Sequence, residues 1–145
     1  MTRPSIRHSD YLALAEFRYE IRRFLNFSEA AARAARIEPH QHQALLAIKG
    51  LPAGQSATIG LLAERLQIQH HSAVELADRL ETKHLVRRSR GQRDRREVFL
   101  ELTRRGEELL RRLSLSHRDE LRLAGPKLLE ALNAVVTYGR RSSRR

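Results

Sequence analysis

A change of hydrophobic period in the middle of the chain constrains the fold more than any other feature. In residues 61–66 the apolar side chains recur at helical spacing, and a polar break at residues 67–69 separates them from a second helix that begins near His70. From Leu85 onward the period is two, in two alternating runs that a short turn joins. The stretch 58–102 therefore predicts two short helices followed by a β-hairpin.

The second of these helices has one apolar and one polar face. Its apolar positions follow helical spacing: Ala73, Val74, Ala77 and Leu80. The opposite, solvent-facing side can enter a groove: His70, His71, Ser72, Glu75, Asp78 and Arg79. Early residues of such a helix lie nearest the base edges, so we predict DNA contacts for His70, His71 and Ser72, with helix capping as the alternative. Glu75 could accept a hydrogen bond from cytosine N4 or pair with Arg79, and both join the predicted DNA-binding set.

The predicted hairpin tip is rich in arginine. The tip residues Arg90, Arg93, Arg95 and Arg96 surround a single acid, Asp94. Four cationic side chains on a short tip repel one another unless a polyanion or the acid offsets them. We therefore predict that the tip contacts the minor groove of DNA or its flanking phosphates.

The charge of the whole chain indicates the same kind of partner. In 145 residues, 28 Lys and Arg stand against 17 Asp and Glu, which gives a net charge of +11 and a sequence pI near 11.3. Nucleic acid explains this charge directly, and a membrane surface is the competing polyanion. No apolar run approaches the roughly 20 residues that span a bilayer, and no apolar secretory segment is visible near Met1. We expect a cytoplasmic protein of one domain or one two-part subunit.

Catalytic chemistry is not indicated. The chain has no Cys, and therefore no thiolate nucleophile, Cys-ligated zinc or thiol-based redox sensor. It also lacks a Gly-x-Ser-x-Gly motif, a phosphate-binding Gly-rich loop and a compact cluster of acids with His. Neither His40 with His42 nor His70 with His71 has the i, i+4 spacing that presents two imidazoles to one ion. We expect no enzymatic activity, no cofactor and no metal.

Helices are also predicted before the helix-hairpin stretch. Ser9 followed by Asp10 favours a helix start, and apolar residues at spacings of three or four continue to about Arg36. This long helix could kink near residues 26–28. Pro39 then fits the first turn of a shorter helix that ends at Gly50.

Two more helices are predicted after the hairpin. Thr103 caps the first, which runs to about Ala124, where Gly125-Pro126 stops it and starts the second. Gly139 should end that last helix, and residues 140–145 form a basic tail. The helices of 9–36 and 103–139 are apolar on one side, so we expect them to pack on one another.

Several motifs of the central stretch resemble the winged helix-turn-helix of the MarR transcriptional regulators. They are Leu62-Ala63, Leu66, Ile68, Ser72-Ala73-Val74, Asp78-Arg79-Leu80-Glu81, Leu85-Val86, Asp94-Arg95-Arg96 and Leu102-Thr103-Arg104-Arg105-Gly106. The chain departs from the family in having His84 where Gly usually precedes the Leu-Val that starts the wing. A left-handed helix end is expected there, and His is among the few other residues that tolerate it.

The resemblance implies a fold and residue roles. The expected fold is mainly α with a small β-hairpin wing: a winged helix-turn-helix core, residues 37–102, plus terminal helices, 9–36 and 103–139, that form a dimerisation region. Thr58-Ile59 could add a short third strand. Asp94 and Arg96 match the Asp-x-Arg wing signature, in which the acid steadies the tip and the Arg enters the minor groove. Arg93 and Arg95 could exchange roles with Arg96.

The function expected from these features is that of a dimeric repressor that binds a pseudo-palindromic operator and is released by a small aromatic or anionic effector. A symmetric dimer doubles the contacts of one helix-turn-helix across two half-sites. Four residues could line an effector pocket, although core packing is the alternative for each: Phe17, Phe24, His42 and Leu45. A non-sensing architectural or accessory DNA-binding protein is the second function. A zinc-responsive regulator that uses Glu38, His42 and His117 is the third, because some MarR relatives sense zinc.

Overall fold

The computed structural model describes the chain from Arg3 to Ser142, with side chains described as far as Thr137. Five helices and three strands follow one another in the described residues: α1 (His8–Ala34), α2 (Pro39–Lys49), β1 (Ala57–Thr58), α3 (Ile59–Leu66), α4 (His70–Thr82), β2 (Val86–Arg90), β3 (Val98–Leu102) and α5 (Arg104–Ser142). The predicted fold class, mainly α with a small β wing, is confirmed. None of the helices in residues 3–142 combines the length and the apolar character that a membrane crossing requires.

The predicted break at Gly125-Pro126 is wrong. α5 runs unbroken through Pro126 and through Gly139, the predicted helix end, to Ser142. Proline removes one backbone donor from the helix, but the buried and half-buried positions continue across it at spacings of three and four: Ala124, Leu128, Ala131 and Val135. Burial of this continuous stripe offsets the lost hydrogen bond. Of the predicted tail, residues 140–142 thus have helical backbone, and residues 143–145 lie outside the described part of the chain.

The first helix, α1, is continuous through residues 26–28, where the sequence allowed a kink, and it ends at Ala34. The turn that follows contains Arg36 with a left-handed backbone (φ 62°), and the Ile37 N–H donates to the Ala32 carbonyl (3.1 Å). α2 begins at Pro39 and ends at Gly50, as predicted.

The chain divides into two compact units. The central unit comprises residues 31–115, and the terminal unit comprises the residues up to Ala30 together with those from Ser116 onward. α5 therefore contributes its first three turns to the central unit and the remainder to the terminal unit. The assignment of residues 9–36 and 103–139 to dimerisation stays a prediction.

The core of the central unit is built from every one of its elements. Its most deeply buried large aliphatic side chains come from α2, α3, α4, the wing and the residue just before the wing: Leu45, Leu62, Leu80, Leu85, Val86 and Leu100. Leu109, Leu110 and Leu113 at the start of α5 join the same cluster. Each large aliphatic side chain buried in this way contributes about 1.5–3 kcal/mol relative to exposure.

The sheet has the strand order β1-β3-β2, and both pairs are antiparallel. β2 and β3 form the wing, residues 86–102, with Val86 opposite Leu102 and Arg90 opposite Val98. The expected third strand is present at Ala57–Thr58, one residue earlier than predicted, where Ala57 pairs with Leu100. Because α3 follows directly after β1, this pairing holds the start of α3 to the wing.

A close junction connects the end of α4, the base of the wing and the start of α5. His84 has the left-handed backbone expected of it (φ 58°), and the Leu85 N–H donates to the Leu80 carbonyl (3.0 Å), as in a Schellman helix end. Thr103 Oγ1 donates to the His84 carbonyl (2.6 Å) and accepts from the Gly106 N–H (3.1 Å). One hydroxyl thus caps α5 and holds it to the end of α4.

The terminal unit pairs α1 with the later part of α5. A partly buried hydrogen bond joins His117 Nε2 on α5 to Ser28 Oγ on α1 (2.8 Å). The rings of Phe24 and Phe27 meet the His117 ring edge to face, with centroids 6.1 and 5.3 Å away. All but one of the exposed large hydrophobic side chains in the described residues belong to this unit: Ile6, Tyr11, Leu12, Leu14, Tyr19, Leu25, Leu121, Leu123, Leu129, Leu132 and Val136.

The junction generates a stability prediction at Gly106. A Cβ atom there would lie 2.0 Å from the Leu85 carbonyl oxygen, a backbone atom that cannot rotate away. Gly106→Ala should therefore lower the free energy of unfolding by about 1–3 kcal/mol, the usual cost of overpacking. Urea unfolding at a fixed protein concentration measures it, as a shift in midpoint with unchanged slope.

Gly125→Ala is the matched control, because it makes the same change in the same helix. A Cβ at Gly125 meets nothing within 4 Å, so alanine should raise the free energy of unfolding by about 0.5–1 kcal/mol through its better helix propensity. An equal effect of the two substitutions would contradict the close approach at Leu85.

Candidate nucleic-acid interface

The turn between α3 and α4 determines where α4 starts; α4 is the second helix of the helix-turn-helix and is called the recognition helix below. The Oγ1 of Thr58 caps α3 by accepting a hydrogen bond from the first turn of the helix (3.1 Å). α3 ends at Gln67, whose left-handed backbone (φ 53°) reverses the chain. The Ile68 N–H then donates to the Ala63 carbonyl (3.0 Å), and the half-buried Ile68 side chain packs against the core.

One face of α4, here called the recognition face, carries the residues predicted to contact DNA. His70, His71, Glu75 and Arg79 are exposed, and Ser72 is half-buried. The N-cap position of α4 is occupied by Gln69. Helix capping, the alternative role for His70, His71 and Ser72, is therefore not their role at this position. The inward stripe is Ala73, Leu76, Ala77 and Leu80, with Val74 only half-buried. Leu76 was missed, although its spacing of three from Ala73 and four from Leu80 was the available signal.

The tip of the wing, residues 91–97, is a tight turn held by its own backbone. Gly91 N–H donates to the Glu97 carbonyl (2.9 Å), and Glu97 N–H donates to the Asp94 carbonyl (3.1 Å). The Asp94 carboxylate accepts a hydrogen bond from the Arg96 N–H (2.9 Å). Gly91 is required here, because a Cβ would lie 2.8 Å from the Asp94 carbonyl oxygen. The acid and the glycine therefore define the shape of the tip.

Three of the four predicted tip arginines have guanidinium groups that contact no other part of the described chain. Arg93, Arg95 and Arg96 are exposed, and within residues 3–142 their guanidinium groups form no hydrogen bond or ion pair. Arg90 differs, because its Nη1 donates to the Arg95 carbonyl (3.2 Å). The tip thus presents three adjacent, unneutralised cations to solvent.

Two other arginines of the wing, Arg87 and Arg88, are paired with acids. Arg87 Nη2 lies 3.1 Å from Glu101 Oε2 across the wing, as their register places them opposite each other. Arg88 on β2 contacts both Asp78 and Glu81 of α4. Neither Arg87 nor Arg88 was predicted to have a role. The alternation of the two strands was the available signal for the Arg87–Glu101 pair. The contacts of Arg88 depend on how the strand packs on the helix and have no such signal.

The Lys49–Glu107 ion pair connects α2 with α5 inside the central unit. Lys49 Nζ donates to Glu107 Oε1 (2.7 Å). This hydrogen bond, together with the positive charge of Lys49, holds the pKa of the Glu107 carboxyl below its usual value. Both side chains are exposed, so the pair contributes little to stability.

The four residues predicted to line an effector pocket fall in different units. His42 and Leu45 are buried in the central unit, whereas Phe17 and Phe24 are half-buried in the terminal unit. Phe24 lines a cavity of about 220 Å³ within the terminal unit, together with Glu20, Leu121 and Leu128. That the four residues form one pocket stays a prediction.

No group of three or more His, Asp or Glu side chains in the described part of the chain is arranged to hold a metal ion. Of the residues considered for zinc, Glu38 is the N-cap of α2 and forms a capping box with Gln41. His42 is buried, and His117 is bonded to Ser28. Each thus has a structural role.

A helix-turn-helix followed by a hairpin wing defines the central unit as a winged helix-turn-helix, a class of DNA-binding fold. The model of the MarR family matches residues 37–97, which include α2, α3, α4, β2 and the tip. The resemblance to the MarR family is therefore confirmed for this segment. Proteins of that family are transcription regulators and not enzymes.

Solved structures extend the similarity of fold to nearly the whole chain. AbsC, a MarR family transcriptional regulator from Streptomyces coelicolor, is 20% identical with a TM-score of 0.73, and the alignment covers 99% of each chain. A mutant of MepR from Staphylococcus aureus bound to an oligodeoxyribonucleotide is 22% identical with a TM-score of 0.63, over 97% of this chain and 100% of that one. The transcriptional repressor CouR bound to a 23-mer DNA duplex is 26% identical with a TM-score of 0.63, over 80% and 83%. No curated protein matches the sequence.

Proposed function

We propose that this protein is a homodimeric repressor that binds a specific operator in double-stranded DNA and is released by a small-molecule effector. The observation that carries the proposal is the pairing, in one unit, of an exposed recognition face on α4 with three unneutralised arginines at the wing tip. Similarity to MepR and CouR, both solved with DNA, supports it. Such a regulator acts where the DNA is, in the cytoplasm.

DNA binding follows from the shape and charge of the two elements. The recognition face fits a major groove, with His70, His71 and Ser72 nearest the base edges. Glu75 and Arg79 lie one and two turns further along α4. Arg93, Arg95 and Arg96 reach the adjacent minor groove or its phosphates, while Asp94 maintains the tip.

Dimerisation follows from the apolar surface of the terminal unit. Its exposed hydrophobic side chains include Leu123, 81% exposed, and Leu129, 63% exposed. A surface of this kind marks an interaction site rather than ordinary solvent-facing helix. A two-fold dimer through it presents two recognition faces to two half-sites.

Effector release distinguishes the proposal from a non-sensing architectural protein. The 220 Å³ cavity beside Phe24 offers a place for a small aromatic group within the proposed dimerisation region. A ligand there releases DNA only if it binds better to the arrangement that is incompatible with DNA. Zinc is the weaker candidate signal, because the residues considered for it have other contacts.

The basic test is operator selection combined with sedimentation. Selection from random duplexes should yield a pseudo-palindrome with half-site centres about 34–36 Å apart, and its affinity should fall steeply with salt. Sedimentation equilibrium at micromolar concentration should give the dimer mass. Recovery of no two-fold motif, or of monomer alone, would sink the proposal.

The wing prediction concerns Arg96. Arg96→Ala should weaken operator binding by about 1–3 kcal/mol, because one inserted cation is lost, while circular dichroism and melting stay the same. Arg87→Ala is the matched control: it removes the same charge from the same hairpin, where Arg87 pairs with Glu101. If the Arg96 variant binds as tightly as the control, Arg93 or Arg95 carries the contact instead, and their alanine variants identify which.

The regulatory prediction uses linkage. A screen of phenolic and aryl-carboxylate compounds should find one that lowers operator affinity several-fold, consistent with a coupling of about 1–3 kcal/mol. Calorimetry should then show that this compound binds the free dimer more tightly than the DNA-bound dimer, by the same factor. Equal affinity for both forms removes the compound as an inducer, and failure of a broad library favours the non-sensing alternative.

A further inference from the structure

Two arginines on one face of β2 connect the recognition helix to the wing tip. Arg88 and Arg90 are separated by one residue, so they share a face of the strand. Arg88 contacts Asp78 and Glu81 on α4, and Arg90 donates to the Arg95 carbonyl in the tip. The two arginines thus link β2 to α4 at one end, through ion pairs, and to the tip at the other, through a hydrogen bond to a backbone carbonyl.

The contact at α4 suits a guanidinium. Asp78 and Glu81 are three residues apart and therefore neighbours on the helix surface. Arg88 Nη2 donates to Asp78 Oδ1, and its Nε lies 3.8 Å from Glu81 Oε2. The Arg88 side chain is 33% exposed, about half as much as that of Arg87. A planar fork with several donors can hold two acids at once.

The two acids themselves need an explanation. A carboxylate beside a recognition face repels the phosphates that the face must approach, and the chain carries a net charge of +11. The presence of Asp78 and Glu81 beside this face is explained if their role is to hold Arg88. The salt bridge also neutralises part of their charge before DNA approaches.

We infer that Arg88 and Arg90 are positioning residues, which hold the recognition helix and the wing tip in one arrangement that engages the major and minor grooves together. The wing needs such support because β1 pairs only with Phe99 and Leu100. Toward the tip the wing is therefore a two-stranded hairpin, which is only marginally stable by itself. Arg90 was predicted to contact DNA, which stays a prediction; its proposed alternative role is to support the tip, because its Nη1 donates to the Arg95 carbonyl. The inference rests on the proposed DNA binding.

The salt dependence of binding separates positioning from phosphate contact. Arg88→Met removes the guanidinium but keeps the apolar stem. It should lower operator affinity by about 2- to 30-fold, the usual range for indirect coupling, and leave binding to a random duplex almost unchanged. The slope of log affinity against log salt should stay the same, whereas loss of a phosphate contact reduces it by about 1. Arg90→Met should behave in the same way, and Arg96→Met, the control, should reduce the slope.

A double-substitution cycle tests whether Arg88 acts through the acids. Asp78→Asn with Glu81→Gln should reproduce the loss seen for Arg88→Met, and the combined variant should lose little more. Arg88→Lys should recover part of the affinity. Because the pair is partly exposed, melting should change little in every variant.

The outcomes are distinct. A reduced salt slope for Arg88→Met, or additive losses in the cycle, would overturn the positioning role while leaving operator binding by the unmodified protein intact. Failure of the unmodified protein to select an operator would overturn the proposed function, and the inference with it.

Discussion

The approach of Gly106 to the Leu85 carbonyl is the contact on which the working part of the molecule depends. Leu85 lies between the end of α4 and the first residue of the wing, and its carbonyl also accepts the Thr103 N–H (3.0 Å). Three elements with different directions therefore meet within one turn of backbone. Only a residue without a Cβ allows α5 to begin so close. The left-handed His84 and the Thr103 hydroxyl complete the junction, so that the wing leaves α4 at a defined angle.

The wing shows why local and distant contacts are both needed. At its base, the strands are held by the junction and by Ala57 on the outer edge of β3. At its tip, the shape comes from Gly91 and Asp94, which bond within seven residues. Between these ends the strand β2 has no buried side chain beyond Val86, so packing alone does not hold it on the recognition helix. Charged contacts from Arg88 take the place of packing there.

What the sequence predicted, and what it did not, divides by the range of the interactions. Features that depend on neighbours within a few residues were predicted: the starts of α2 and α4, and the hairpin. The left-handed His84 was predicted from the motif that resembles the family. The predicted helix break at Pro126 was wrong. Proline disfavours a helix interior locally, but the apolar stripe of α5 continues through it, and burial of that stripe keeps the helix intact. The pairing of Arg88 with two acids of α4 could not be predicted, since it depends on how strand and helix pack. Phe17 and Phe24 lie in the terminal unit, whereas His42 and Leu45 lie in the central unit, so no local contact relates one pair to the other.

The positive charges of the central unit differ in whether an acid neutralises them. Of the six arginines of the wing, two are in ion pairs, Arg90 bonds a backbone carbonyl, and three have no partner in the described residues. Arg87 and Arg88 are held by acids, and their positive charge is largely compensated where they lie. Arg93, Arg95 and Arg96 have no such partners in the described residues, and they are concentrated on one turn. Counterions that condense on DNA are released by cations that are free to replace them. In the proposed complex the tip binds phosphate without breaking any of the contacts that maintain its shape.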